Sequence, residues 1–164
     1  MTVILSVDVE DWAQSTIDPA LPIYPRAQRN TEHLLDVTAS HGRAMTCFVL
    51  GKFAEKFPDT VRRMVREGHE VASHGYGHIN VNQQTPEEFR EDVRRSKRQL
   101  EDLTGCKISG YRAPCFSLGK AGVWALEVLA EEGFVYDASI FPSPTYRFGC
   151  AGWPGSPVRA LLPS

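Results

Sequence analysis

Short apolar runs alternate with helical patterns along most of this 164-residue chain. The runs lie at residues 3–9, 44–50, 70–73, 108–111 and 134–136. They are short and rich in apolar and β-branched residues, which is typical of buried strands. Strands separated by helices predict parallel pairing, because the crossover helix brings the chain back to the same end of the sheet. The sequence therefore predicts an α/β fold, and both a βα barrel and a doubly wound sheet fit the pattern.

The longest predicted helix covers residues 85–104. Thr85 suits its N-cap, Pro86 suits the first helical position, and Glu88 completes a capping box. Apolar residues recur at helical spacing as far as Gly105, which can end the helix. Shorter helices are predicted at residues 31–40, 58–67 and 121–132.

The alternation of strands and helices stops near residue 148. We therefore assign residues 1–148 to one domain and residues 149–164 to an irregular tail rich in glycine and proline. A βα barrel normally closes with more strands than the five predicted here. If the fold is a barrel, the sequence predicts an incomplete one that is truncated at its C-terminal side.

Bulk properties narrow the class of protein. The formal net charge is −2 and basic side chains alternate with acids, so a nucleic-acid partner is not expected. No apolar run approaches the roughly 18 residues of a membrane span, and Met1 leads into the first strand without a signal peptide. The cysteines form no C-x-x-C pair, which indicates free thiols in a reducing compartment. We expect a cytoplasmic protein.

Reactive side chains follow four of the predicted strands. They occur in the segments SVDVEDW (6–12), ASHGYGH (72–78), GYRAPCF (110–116) and VYDASIF (135–141). Active sites of βα barrels gather at the carboxyl ends of several strands, so this placement favours the barrel. The G-x-G-x-x-G turn of a dinucleotide fold is missing after the first strand, which argues against such a cofactor.

Two histidines and nearby carboxylates suggest a metal site. His74 and His78 are four residues apart with glycines between them, and a tight turn would let both bind one divalent ion. Asp8 and Glu10 point the same way on a strand, and Asp11 follows where the strand ends. Two imidazoles and one carboxylate leave coordination positions for water and substrate, which suits hydrolytic zinc and also non-haem iron. The alternatives are surface histidines and acids that cap a turn.

The last two segments supply a guanidinium, a stiff loop and another carboxylate. Arg112 can hold a carboxylate in two parallel hydrogen bonds, and we pair it with Asp8; a surface salt bridge is the alternative. Pro114 stiffens the loop that presents the backbone N–H of Cys115 towards a developing oxyanion. Asp137 either orients Arg112 or caps the next turn.

In this order the four segments resemble the motifs of the polysaccharide deacetylase family, also called the NodB-homology domain or carbohydrate esterase family 4. Those motifs are an acidic pair on the first strand, H-S/T-x-x-H, R-x-P-Y/F and a later aspartate. The resemblance covers roughly residues 3–148, and the residues of the motifs are similar to those of a branch associated with exopolysaccharide export. It implies a distorted, incomplete (β/α) barrel that removes N-acetyl groups from a polysaccharide or amino sugar with a divalent ion, usually zinc.

The resemblance also implies roles for single residues. By position, Asp8 is similar to the family's general base, and His74 and His78 to its metal ligands. Arg112 is similar to the group that tunes the base. The backbone N–H of Cys115, after Pro114, is similar to part of an oxyanion hole, and Asp137 occupies the fourth motif.

The chain departs from the family pattern in three places. Val9 separates the acids that are usually adjacent, so the third ligand is Glu10 or Asp11, and we favour Glu10 because it shares a strand face with Asp8. Gly75 replaces the usual serine or threonine of the second motif. A later histidine acting as general acid has no counterpart. Two other interpretations stay open: an allantoinase-like cyclic amide hydrolase on the same scaffold, and an inactive remnant that only binds sugar.

Overall fold

Five parallel strands form a sheet in the described part of the chain, and they lie side by side in the order in which they occur in the sequence. The structure is a computed structural model and describes residues 3–18, 20–119, 122–143 and 149–160. The strands are β1 (Ser6–Val9), β2 (Thr46–Val49), β3 (Glu70–Ser73), β4 (Gly110–Tyr111) and β5 (Tyr136–Asp137). The predicted α/β fold with a parallel sheet is confirmed.

Helices connect the strands. They are α1 (Trp12–Thr16), α2 (Pro25–Ser40), α3 (Gly51–Lys56), α4 (Pro58–Arg66), α5 (Pro86–Thr104) and α6 (Val123–Glu131). Single 3₁₀ turns at Val81–Gln83 and Pro114–Phe116 complete the set for the described residues. None of the described helices is both long enough and apolar enough to cross a bilayer.

The prediction for α5 is confirmed in detail. Thr85 accepts a hydrogen bond from the Glu88 amide, and the Glu88 side chain accepts one from the Thr85 amide, so the capping box is complete. Gly105 ends the helix in the left-handed conformation with φ of 67°. The helix buries Phe89, Val93 and Leu100 against the sheet.

Other boundaries differ from the prediction. Helix α2 begins at Pro25 rather than at residue 31, because Pro25 takes the first helical position instead of extending the preceding loop. The short helices α1 and α3 were not predicted, since five or six residues are too few to show helical periodicity. Residues 149–160 contain no helix or strand, and their separation from the domain at residue 148 stays a prediction.

A chain of aromatic rings fixes β4 beneath α5. Tyr111 lies edge-on to Phe89 of α5 and to Phe134 before β5, with ring centroids 5.7 Å apart in both pairs. All three rings are buried, and burying one such side chain stabilises the fold by about 1.5–3 kcal/mol. The packing therefore holds the end of β4 rigidly, and the residue after it is Arg112.

Candidate metal and hydrolase site

The register of the sheet aligns the four polar segments. One residue of each strand falls in a single row across the sheet, namely Val9, Val49, Ser73, Tyr111 and Asp137. The residues that follow this row include Glu10, His74 and Arg112. Because parallel strands end at the same edge, side chains that are far apart in sequence meet there.

Glu10, His74 and His78 converge on one point. Their ligand atoms all lie within 4.8 Å of one another. Glu10 Oε2 is 2.8 Å from Nε2 of His78 and 3.4 Å from Nε2 of His74. Both imidazoles are buried, and the exposed fraction of the Glu10 side chain is 23%. The donor set and its spacing fit a divalent cation, because imidazole nitrogen and carboxylate oxygen are the ligands that zinc takes.

The proton on His74 is fixed by its other ring nitrogen. Nδ1 lies 2.8 Å from the carbonyl oxygen of Arg112, and a carbonyl only accepts, so Nδ1 carries the proton. In the neutral ring Nε2 is then a lone pair that faces Glu10 Oε2. That oxygen is buried and has no hydrogen-bond partner of good geometry among the described residues. Two facing lone pairs repel each other unless a proton or a metal cation lies between them.

Protonation at this cluster follows the same electrostatics. Burial would raise the pKa of Glu10, but the imidazoles of His74 and His78 outweigh it and lower the value to about 2. Burial would lower the pKa of His74, but Glu10 and the charge of Asp8 raise it. The carboxylates thus favour positive charge at the point where the three side chains meet.

Asp8 and Arg112 form a pair beside this cluster. Arg112 Nη1 donates to Asp8 Oδ1 at 2.8 Å, whereas Nη2 donates to Ser6 at 3.1 Å. The contact is single rather than the two parallel bonds expected from the sequence, because Ser6 takes the second nitrogen. The guanidinium also lies 3.9 Å above the ring of Phe48, which restricts its position. Arg112 therefore contacts only one of the two carboxylate oxygens of Asp8.

Asp11 lies outside the cluster. It caps α1 by accepting from the Ala13 amide, and it also accepts from the Tyr24 amide and from Arg26 at 2.9 Å. Its side chain is fully buried in these contacts. Of the two acids left open by the sequence, the structure brings Glu10 to the histidines and gives Asp11 a structural position.

Strained backbone marks the polar segments. The non-glycine residues with positive φ among those described are His78 at 61°, Cys115 at 54° and Phe116 at 55°. Such conformations cost about 1–3 kcal/mol each and persist where surrounding contacts enforce them. Cys115 lies in the 3₁₀ turn that follows β4, half-buried, and its neighbour Pro114 is buried.

Asp137 shapes the loop after β4 through Ser139. The Asp137 carboxylate accepts from the amide and the hydroxyl of Ser139, and the Ser139 oxygen accepts from the Ala113 amide at 2.7 Å. Arg112 Nε donates to the Ala138 carbonyl at 3.3 Å rather than to Asp137. Asp137 thus adopts the turn-capping arrangement and connects that turn to the residue before Pro114.

The buried Asp137 carboxylate makes stability depend on pH. Burial raises its pKa from 3.8 to about 6, against the opposing effect of the hydrogen bonds with Ser139. A carboxyl group whose pKa is raised by folding contributes its full stabilisation of the folded protein below the unfolded-state pKa. It loses that contribution as the pH rises through the folded-state pKa. Relative to Asp137→Asn, the wild-type free energy of unfolding should fall by about 3 kcal/mol between pH 3.5 and pH 7. Urea unfolding of both proteins measures this, with the exposed Asp59→Asn as control; parallel pH profiles would refute it.

Two side chains that bind the backbone between His74 and His78 were not predicted from the sequence. Gln14 of α1 donates to the Gly77 carbonyl at 3.1 Å. Asp92 of α5 accepts from the amides of Tyr76 and Gly77. The signal for Asp92 was present, since it follows the buried Phe89 by three residues on the inward face of α5.

The fold and the cluster define the class of this protein. It is a parallel α/β protein whose strand ends gather a group able to hold a divalent ion, next to a carboxylate–guanidinium pair. The family model described as polysaccharide deacetylase matches residues 12–133. The chain therefore belongs to the polysaccharide deacetylase family, as its resemblance implied.

The chain is similar to proteins that are named as deacetylases. A peptidoglycan-N-acetylglucosamine deacetylase of Bacillus cereus is 34% identical over 84 residues, which is 51% of this chain and 30% of the relative. A chitooligosaccharide deacetylase of a Bradyrhizobium species is 34% identical over 101 residues, which is 61% of this chain and 43% of the relative. The crystal structure of a candidate polysaccharide deacetylase from Mycobacterium smegmatis matches with a TM-score of 0.69 and 27% identity, over 84% of this chain and 50% of that one.

The matched regions are partial. The chain spans less than half the length of both curated relatives and half of the solved structure. The match to the family model begins at Trp12, so Asp8 and Glu10 precede it. The assignment of these two acids depends on the geometry of the strand ends.

Proposed function

We propose that this protein is a hydrolase that removes N-acetyl groups from an amino-sugar polymer with the help of a divalent metal ion, zinc. The single observation that carries the proposal is the convergence of Glu10, His74 and His78 beside the Asp8–Arg112 pair. That arrangement lies at the strand ends of a chain in the polysaccharide deacetylase family.

Glu10, His74 and His78 would hold the ion. Three protein ligands leave room for water and for a substrate oxygen, which is typical of catalytic rather than structural zinc. A bound divalent ion supplies Lewis acidity to the amide carbonyl and makes a water molecule more acidic. Non-haem iron accepts the same ligand types, so the metal is an explicit variable in the test below.

Asp8 is proposed as the general base. Arg112 holds its Oδ1 atom, so its other oxygen can accept the proton of the attacking water. The side chain is 26% exposed, which gives substrate and water access to it. Arg112 is proposed to orient Asp8, and Asp137 to support the loop that follows Arg112 through Ser139.

Cys115 is proposed to donate its backbone N–H to the oxyanion of the tetrahedral intermediate. Its left-handed φ and the preceding proline give the turn a defined shape. A preorganised donor of this kind is worth roughly a hundredfold or more in rate.

Protonation of the leaving amine needs a further group. His33 and His41 are exposed, and buried His69 accepts a hydrogen bond from the Met45 amide. None of these three histidines lies on the row of strand ends. We therefore assign no residue to that step.

The substrate class follows from the relatives. Their names give peptidoglycan N-acetylglucosamine and chitooligosaccharides as substrates of those proteins. We propose that the substrate of this chain is an N-acetylhexosamine polymer. From the residues of its motifs, which are similar to those of the export-associated branch, we propose that this polymer is an exopolysaccharide. Acetate release from peptidoglycan, chitin oligomers and bacterial exopolysaccharide would rank these polymers.

Metal removal tests the proposal. We expect protein stripped with EDTA to release acetate from N-acetylglucosamine oligomers at least about a hundredfold more slowly, since the Lewis acid supplies several kcal/mol of transition-state stabilisation. Zinc should restore the rate, and ferrous iron under anaerobic conditions serves as the comparison metal. Equal rates before and after stripping would exclude a role for the metal.

The same assay separates the rival interpretations. Hydrolysis of allantoin without acetate release from sugars would indicate a cyclic amide hydrolase. Binding of N-acetylglucosamine oligomers without turnover of any substrate would indicate a remnant that only binds sugar.

We also propose a cytoplasmic location. None of the four cysteines forms a disulfide in the described residues, and Cys106 is exposed, which suits a reducing compartment. Cell fractionation with an antibody to the protein tests this, and recovery with secreted proteins would contradict it.

A further inference from the structure

The backbone between the two site histidines is held from several sides. In this segment, residues 75–77 (the histidine loop), the amides of Tyr76 and Gly77 donate to the two carboxylate oxygens of Asp92 at 2.8 and 3.1 Å. The Gly75 amide donates to the Ser73 hydroxyl at 3.2 Å. One side chain of α5 therefore binds two of the three amides of the loop.

The carbonyl groups of the histidine loop are paired as well. The first two amides of α3 donate to it, from Gly51 to the Gly75 carbonyl at 2.9 Å and from Lys52 to the Tyr76 carbonyl at 3.1 Å. The side-chain amide of Gln14 donates a hydrogen bond to the Gly77 carbonyl. Each backbone amide and carbonyl of the loop thus has a hydrogen-bond partner. A change in the conformation of the loop would break several of these hydrogen bonds.

Gly75 is what lets Asp92 reach the loop. Its φ of 74° is in the left-handed region, and a Cβ placed there would lie 2.8 Å from Asp92 Oδ2. A side chain at this position would push the carboxylate away from the amides. The second motif therefore carries a glycine where its geometry requires one.

Helix α5 makes a second contact with the histidine loop. Arg95, one turn after Asp92, lies 3.5 Å above the ring of Tyr76 and donates to its hydroxyl at 2.6 Å. Both contacts come from the helix with the complete capping box. The loop is therefore attached to a rigid element of the fold.

His78 needs this support because its own backbone is strained. Its φ of 61° is unfavourable for a residue with a Cβ, so surrounding contacts must hold this conformation. We propose that Asp92 is the positioning residue that fixes His78 relative to His74, so that both Nε2 atoms face Glu10. This inference rests on the proposed metal site and deepens it.

The affinity for zinc tests the role of Asp92. In Asp92→Asn one oxygen can still accept from one amide, but the new NH₂ group faces the other donor. We expect the zinc dissociation constant, measured by calorimetry on metal-free protein, to rise about 10–100-fold, as for other groups that orient metal-binding residues. Asp102→Asn, an exposed aspartate on the same helix, should bind zinc like the wild type.

The outcomes are distinct. If Asp92 only stabilises the fold, Asp92→Asn lowers the melting temperature of the metal-free protein but leaves the zinc affinity unchanged, and the proposal is overturned. If Asp92→Asn does not fold, Gly75→Ala displaces the carboxylate from the other side, and wild-type zinc affinity in that variant overturns it equally. A wild type that binds no zinc refutes the metal site itself, and with it this inference.

Discussion

Substituting His78→Asn is expected to abolish zinc binding and to lower acetate release by at least about a hundredfold, as removal of the metal does. Asparagine tolerates the left-handed backbone that His78 adopts at φ of 61°, so the loop can keep its shape while the imidazole is lost. The magnitude corresponds to the several kcal/mol that a metal ion contributes to the transition state. Calorimetric titration with zinc and a steady-state assay on N-acetylglucosamine oligomers measure both effects.

The matched control is His33→Asn, which makes the same chemical change on the exposed face of α2. It should leave zinc affinity and turnover within about twofold of the wild type, as surface substitutions away from special features do. Retained zinc binding with full activity in His78→Asn would exclude His78 as a ligand. Loss of both properties in His33→Asn as well would indicate a general defect of folding.

Substituting Asp8→Asn should separate catalysis from metal binding. The asparagine oxygen can still accept the hydrogen bond from Arg112, so the pair between β1 and the residue after β4 persists. The amide cannot take a proton from water, and loss of a general base lowers kcat by about 10²–10⁴-fold. KM and the zinc dissociation constant should change by no more than about threefold, which is the pattern of an interaction needed only in the transition state.

The control for this substitution is Asp59→Asn, where the aspartate side chain is 90% exposed and pairs with Arg62 of the same helix. Full turnover in Asp8→Asn would exclude the general-base assignment. A zinc affinity that falls together with kcat would identify Asp8 as a metal ligand instead.

The sequence sufficed for the elements whose signals are local. The capping box of Thr85 and Glu88, and the glycine that ends α5, are chemical features of neighbouring residues, so they survive into the structure unchanged. The position of β3 was predicted to the residue for the same reason, since the glycine before it and the turn after it bound the apolar run.

The rest depends on contacts between distant segments. Asp11 looked like a candidate ligand until the structure paired it with Arg26 and Tyr24, which follow it by more than ten residues. The single bond between Asp8 and Arg112 depends on Ser6 competing for the guanidinium. The strained φ of His78 leaves no trace in composition or periodicity, because tertiary contacts impose it.

The sequence also carries a signal for Asp92, because this charged residue lies on the inward face of α5. A charged residue on the inward stripe of an amphipathic helix is expensive to bury, and here burial raises the pKa of Asp92 although two amides oppose the shift. Such a residue needs donors from another segment. The sequence can therefore indicate that Asp92 has a partner, but only the fold shows that the partner is the histidine loop.

Within the described residues β1 lies at one border of the sheet, which leaves one side of the strand without a neighbouring strand. Within the described residues β1 pairs with β2 alone, so its outer row of amides and carbonyls can template an added strand, and the exposed Val3 and Ile4 extend it with apolar surface. Asp8 belongs to this strand and Glu10 follows it. A strand that paired with this border would therefore lie next to the carboxylates and would restrict the access of a substrate to them.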